Sequence, residues 1–512
     1  MQKAGNDGPF VSRMEEIFMD NDEANALDRR VFLGASTAAV LGLPGIARAE
    51  DAPTAKAEAP KVGARPVSEV IADYIVNFDL KTAPPEAVAR ARTAFVDGIG
   101  VMLAGSQLPP TDIVCEVVTL EESKPAAGIV GRTLRASPQQ AALVNGIAGH
   151  CMDFDLTYFA GQSIAAVIPA ILPIAETTKA TQAETLAAFL IAAEIAGRLN
   201  RAAPTVSRAG GWHATGTIGV IAAAAAAARL MKIDARKIPD VIGITTSLAG
   251  GISVNFGTMT KPLHAGHAAH DGILAAMLGA RGFSASPAAI EGKDGYLECF
   301  ARTLPHSLEP FADLGKNYDL VEYGYKIKPY PSGGLGHTAI DATLELRPLI
   351  KLDDVAHVDV AISRYAARRI TDRYPQSVEN AKFSAPYLAA YTLVHGAPML
   401  AAFTEDALRD AAVRDAAQKI SLTTYEEYAD LLEESPARVT VTLKDGSKLE
   451  RAKYYPRGSV RVPMTPEEIK AKFDVCAAQA VDKAIAEKIY ATLSTLGNEP
   501  SLDAFWPLLR KA

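Results

Sequence analysis

Cysteine is scarce and scattered. Cys115, Cys151, Cys299 and Cys476 lie far apart with no CxxC pair, which excludes a zinc ribbon and a disulfide framework and leaves buried free thiols as the expectation. A basic excess is lacking too: 52 Lys and Arg stand against 59 Asp and Glu, a formal net charge of -7. That is not the basic face of a nucleic-acid binder, although a few lysines converging in one cleft would still suit an anionic substrate. Uninterrupted apolar runs stay below the ~18 residues that a membrane span needs, the alanine-rich stretch 216–231 included, so no stable membrane insertion is expected. No sequence repeat is present. What remains, 49% hydrophobic and 22% charged residues over 512, describes an ordinary globular chain with room for two or three domains.

The first 49 residues read as a twin-arginine-type export signal. Arg29-Arg30 precedes a short apolar run, Gly34 to Ile46, and Ala47-Arg48-Ala49 supplies a small-residue cleavage site. This predicts a periplasmic protein, or a cytoplasmic one if the segment is not used as a signal. Residues 50–66, rich in Ala, Pro, Lys and Glu, read as a linker. From 67 to 324 the apolar residues recur at helical spacing, and 216–231 should be one tightly packed helix because alanine permits close approach. Residues 325–460 change period: 357–362 and 438–443 alternate as half-buried strands do, and Asp445-Gly446 closes a hairpin. A Thr-Pro-Glu-Glu start at 465 reopens a helical period, so 461–512 should rejoin the first domain.

Four segments carry groups suited to chemistry. In Asn145–Thr157, a continuing helix would place His150, Asp153 and Thr157 on one face, where they could bind a substrate and exchange protons; a polar solvent face or a helix cap is the structural alternative. Gly210–Gly219 puts His213 before a helix N-terminus with Thr215 and Thr217, a ready anion site, or simply a tight turn. Lys261, before Pro262, should sit extended at a helix mouth and add its charge to the dipole there; a solvated surface lysine is the alternative. His264, His267 and His270 do not suit a metal, since the third is turned roughly 120° from the first and no carboxylate completes the set. Lys328 precedes Pro329 in a Pro/Gly-rich stretch ending near His337, at the junction of the two periodicities, where an interdomain crevice is expected.

In this order the segments resemble the MmgE/PrpD family. The matching pieces are AFVDGIGVMLAGS (94–106), NGIAGHCMDFDLT, GWHATGTIGVIAAAAAAARLM, TKPLHAGHAAHDGILAAMLGARGF, DGYLECFA, KPYPSGGLGHTAID, FSAPYLAAY (383–391) and PMTPEEIKAKF (463–473). The resemblance spans about 67 to 510. It implies a mainly α protein, a large all-helical domain with an inserted smaller α+β lid domain, a homodimer, an interdomain active site and no metal or organic cofactor. It further implies a lyase, a dehydratase or decarboxylase, acting on a small di- or tricarboxylic acid by proton abstraction next to a carboxylate. Epimerisation by the same first step is the alternative, and a non-catalytic exported carboxylate-binding protein is a second.

Residue by residue, the resemblance assigns Asp153, His150, His213, Lys261 and Lys328 to catalysis. Thr157, Gln162, His264, His337 and Tyr387 (the aromatic of the FSxxY stretch) are expected substrate contacts. Two departures stand out: relatives carry a second Asp where this chain has Leu156, and a proton-transferring His near the place of Gln162. Glutamine hydrogen-bonds but does not titrate.

Overall fold

The computed structural model describes residues 65–510 apart from 160, 205, 207–209 and 426–434. The expected signal and nearly all of the expected linker lie outside the described residues. The protein is mainly α with a few small sheets.

The first core is built on α1 (Pro85–Gly105), α2 (Pro138–His150), α3 (Gln182–Ala202), α4 (Gly219–Leu230) and α5 (Thr260–Ala280). Proline opens α1 and α2, where its missing N–H is no loss. A reciprocal Thr181–Glu184 capping box opens α3. The single helix expected over 216–231 is two pieces, Ala214–Thr217 and α4, joined at Ile218. Every residue of α4 but Arg229 is buried. Small residues let these helices touch by their backbones: a Cβ on Gly146 would fall 2.6 Å from Gly266 Cα, and one on Gly272 would meet Ala223 at 2.7 Å. The Gly146–Gly266 contact seats the end of α2 against the start of α5, and so brings two of the chemically interesting segments together.

A second hydrophobic core runs from Tyr330 to Val441 in sequence. Its sheet contains β1 (Val355–Ser363), β2 (Ile420–Tyr425), β3 (Ala437–Leu443) and β4 (Lys448–Lys453), in the order β2–β1–β3–β4. The two alternating segments are β1 and β3, paired antiparallel with Val358 opposite Val441. Asp445-Gly446 makes the turn into β4, with Gly446 at φ 88°. The strand β2, which alternation did not mark, pairs parallel to β1. Helix α6 (Ala385–His395) covers this sheet, placing Leu388 and Leu393 in the same core as Val358 and Val439.

From the sheet the chain returns to the first core through α7 (Pro466–Ala477), opened by a Thr465–Glu468 capping box, and α8 (Lys483–Ser494). Phe473 of α7 lies so close to α1 that a Cβ on Gly100 would sit 3.0 Å from its ring. The cysteines are unpaired, with Cys151 and Cys476 buried; Cys299 is exposed rather than buried, on a short helix at the surface. Among the described residues no helix is long and apolar enough to cross a membrane.

Candidate active site

The site is organised by the loop that follows α2. The expected helix through Thr157 is not formed: α2 ends at His150, and Asp153 adopts φ 53°, a left-handed conformation that Asp tolerates better than most residues. His150, Asp153 and Thr157 therefore do not share a helical face. Buried carbonyls outside regular structure need partners, and in the loop after α2 buried ammonium groups from distant sequence supply them. Lys382 Nζ donates to Cys151 O at 2.7 Å, Lys328 Nζ to Asp153 O at 2.9 Å, and Lys472 Nζ of α7 to Phe154 O at 2.7 Å. Lys472 also pairs with buried Asp97 at 2.6 Å and lies 4.0 Å from the centre of the Phe154 ring.

The Asp153 side chain turns into a cavity of roughly 850 Å³, counted with its open mouth, between the first core and the segment leading into the second. One oxygen, Oδ1, accepts three hydrogen bonds: from Lys261 Nζ at 2.8 Å, Lys328 Nζ at 2.6 Å and Gln162 Nε2 at 2.6 Å. Burial alone would raise the Asp153 carboxyl, but the Lys261 and Lys328 charges overcome it and hold the group well below the usual carboxylate range. Burial lowers the Lys261 ammonium, against the pull of Asp153. Lys261 is not extended before Pro262. It lies inside the first turn of α5, where the proline ring fits because first-turn amides have no helical partner. Lys326 and Arg369 add further positive charge to the lining, while Phe256 and Phe383 wall it. The Arg369 guanidinium stacks 4.9 Å from the Phe256 ring centre. The cavity thus presents four cationic side chains and one acidic one, a setting for a small polyanion.

Of the residues singled out from sequence, Asp153, Thr157, Gln162, His213, Lys261 and Lys328 line this cavity. Thr157 is fixed by a two-way backbone pairing with Lys326, both bonds 2.8 Å. His150 lies behind Asp153, in a small recess that it shares with Lys382. Its Nδ1 bonds the Asp155 carboxylate at 3.0 Å, and its Nε2 is buried without a partner. Burial keeps His150 below the ordinary histidine value, with Asp155 opposing. His264 does not line the cavity; it bonds His213, Nδ1 to Nδ1, at 2.9 Å. His337 is buried behind the lining, 3.2 Å from Ser332 O and edge-on to Tyr330. Tyr387 is not brought to the cavity: α6 points it into the second core, where its hydroxyl donates to Ala402 O. Asp155, Lys382, Arg369 and Lys472 went unmarked in the sequence. Asp155 had a signal, a second carboxylate five residues after His150. Lys472 lies inside the PMTPEEIKAKF stretch and Lys382 directly before FSAPYLAAY, but neither lysine was singled out there; Arg369 sits in a segment with no motif around it.

Among the described residues no three His, Cys, Asp or Glu side chains are grouped to hold a metal ion. Next to His264, His267 and His270 both turn to Asp271, at 3.0 and 2.8 Å.

Comparison with known proteins gives the family of the chain. Residues 69–308 match the MmgE/PrpD N-terminal domain and residues 330–496 the MmgE/PrpD C-terminal domain. The chain belongs to the MmgE/PrpD family. Cis-aconitate decarboxylase of Mus musculus is 25% identical over 445 residues, covering 84% of this chain and 90% of that protein. The Homo sapiens enzyme of the same name is 24% identical over 458 residues (87% and 94%), and that of Aspergillus terreus 26% over 456 (83% and 91%).

Proposed function

We propose that the protein is a lyase that decarboxylates a small unsaturated tricarboxylate of the cis-aconitate class. The observation that carries this is Asp153 pinned between Lys261 and Lys328 in a cation-lined cavity. Dehydration and epimerisation both begin by removing a proton from carbon. Asp153 is the carboxylate lining the cavity, and with its proton affinity held well below normal it is a weak base at neutral pH. His213 has both ring nitrogens engaged, on His264 and Thr215. Gln162 does not titrate.

Decarboxylation needs no base. The electrons of the carbon–carboxylate bond stay on the substrate as carbon dioxide leaves, and the charge spreads through the double bond onto a remaining carboxylate. Lys261 and Lys328 stand where that charge is stabilised, and stabilisation of developing charge in a water-poor site is the strongest single lever available. The carbanion then takes one proton. Lys261, made more acidic by burial, donates it and is recharged from solvent. Asp153 holds the two ammonium groups on one oxygen and so keeps them aimed, and the second core acts as a lid over the cavity. The activity for which the relatives are named supports this reading over the dehydratase. The assembly we propose is a homodimer, checked by light scattering.

The test is incubation with cis-aconitate in deuterium oxide, following carbon dioxide and the product spectrum. The expected result is release of one carbon dioxide with one deuterium fixed in the product. Deuterium entering recovered substrate without carbon dioxide release would point to the epimerase and overturn the proposal. So would binding, seen as a thermal shift, with no turnover.

A further inference from the structure

Proton counting around His213 gives a direction to the hydrogen bonds that flank the cavity. His213 Nε2 is 3.0 Å from Thr215 Oγ1, and its Nδ1 is 2.9 Å from His264 Nδ1. Thr215 Oγ1 also lies 3.0 Å from the main-chain carbonyl oxygen of Gln162. A carbonyl oxygen only accepts, and a threonine hydroxyl has one proton to give. That proton goes to Gln162, so the His213 Nε2 must carry a proton and donate to Thr215. Burial, then the nearby Lys261 charge, keeps His213 neutral. With its one proton on Nε2, its Nδ1 is bare and accepts. His264 Nδ1 must therefore be the protonated one, which leaves the lone pair of His264 at Nε2. Tautomers set in this way follow from the network as a whole.

The loop around Gly251 seats both rings. The main-chain N–H of His213 donates to Gly251 O at 3.0 Å. Gly251 has φ 101°, and a Cβ there would come within 3.0–3.2 Å of the His264 ring. At the other end of the string, the residue whose carbonyl is held is Gln162, and its side-chain amide is one of the three donors on Asp153.

We propose that His264 is a positioning residue: Thr215 and the Gln162 carbonyl fix His213 as the Nε2–H tautomer, His264 Nδ1–H completes the string by donating to the bare His213 Nδ1, and this one-way string from His264 through His213 and Thr215 sets the main chain from which the Gln162 amide holds Asp153. His264 is thereby assigned a structural duty toward Asp153 in place of the substrate contact expected from its motif, in keeping with its position off the cavity lining. Gln162, near whose place the sequence resemblance implies a titrating histidine, becomes the terminal member of a fixed hydrogen-bond chain.

Two measurements test this, and only the second rests on the decarboxylase reading. In the first, nitrogen-15 NMR of histidine-labelled protein near pH 7.5 reads the His213 tautomer directly. Nε2 is expected at the protonated position and Nδ1 at the bare one. Thr215→Val is expected to collapse that split toward the average, because His264 and His213 can then exchange roles. A protonated His213 Nδ1 in the parent, or a Thr215→Val spectrum unchanged for His213, overturns the proposal whatever the enzyme's activity. In the second, with cis-aconitate as substrate, His264→Leu should lower kcat by about 100-fold with KM unchanged, as expected for a misplaced group in a preorganised site. His264→Asn, whose side-chain NH2 donates from nearly the place of Nδ1–H, should recover most of it. Equal loss in the Asn and Leu variants, or a loss carried by KM, overturns the positioning role.

Discussion

The two cores contribute to the site in different ways. The histidines of the first core bond within it: His150 Nδ1 to Asp155, His213 to Thr215 and His264. The cations from the second core, and from the segment leading into it, reach across. Lys328 ends on Asp153 and Lys382 on Cys151 O. The helical core therefore builds the acid, and Lys261 of that core and Lys328 from the other side set its charge state together. A carboxylate at φ 53° beside a helical core would be an isolated buried charge without the Lys261 and Lys328 ammonium groups, and an uncompensated buried charge is costly enough to be given up by protonation.

Removing one cross-core cation should break this division most severely. Lys328→Met is expected to lower carbon dioxide release from cis-aconitate by about 10²–10³-fold, the usual effect of losing one preorganised charge-stabilising donor. It should also raise the Asp153 carboxyl toward the ordinary range, visible by carbon-13 NMR of labelled Asp. Arg at 328 should recover little, because a planar fork does not replace a point charge. An unchanged Asp153 titration would mean that the first core sets its ionisation alone.

The converse experiment removes the acid. In Asp153→Asn the two ammonium groups lose their internal anion and are free to hold substrate carboxylates. We expect KM to stay level or fall while kcat drops by about 10²-fold, since the lysines are no longer aimed. A raised KM with kcat intact would show that Asp153 contacts substrate favourably instead of competing with it.

What was legible in the sequence follows the same divide. The strands β1 and β3, their hairpin turn and the Thr465 helix start are local signals, and they survive folding because alternation, Asp-Gly and the capping box each specify their own few residues. The site motifs marked where chemistry lies. The path of the Asp153 loop was not legible, because CMDFDLT contains no breaker, and what holds the loop after α2 is a set of contacts with Lys328, Lys382 and Lys472, the nearest of them, Lys328, 175 residues beyond Asp153. Tyr387 failed for a related reason: a motif marks a residue, but periodicity in α6 does not say which face meets the sheet and which meets the cavity. The parallel partner β2 needs the whole crossover from Ser363 to Ile420 to be found.

Acid should distinguish the two cores more gently. His150, His213 and His264 in the first and His337 near the second are all held below the histidine value, with burial the leading cause in each; His264 is lowered to about 4 and His337 to about 3. Their folded-state proton affinity is lower than the unfolded value of about 6.5, so the unfolded chain binds more protons in between. Stability is then full above about pH 6.5 and falls as pH drops toward 4, by about 1.4 kcal/mol per pH unit for each proton difference. Thermal melts from pH 7.5 to 4.5 should show a steep fall in Tm, and His337→Gln should make it shallower by one proton's share. A flat profile would mean that these imidazoles ionise freely in the folded protein.

The smallest expected effect tests the other cross-core contact. Lys382 is buried, and burial lowers its ammonium. Met at 382 would remove the cost of that buried charge but leave the Cys151 carbonyl without its donor, a penalty of about 1–3 kcal/mol. Replacing a buried charge by a hydrophobe of similar size is often close to neutral overall, so Tm should shift little. The loop should loosen all the same: amide exchange at 151–154 should quicken, and kcat should fall less than in Lys328→Met because Asp153 keeps all three of its donors. If exchange is unchanged, Lys328 and Lys472 suffice to hold the loop, and the second core reaches Asp153 through Lys328 alone.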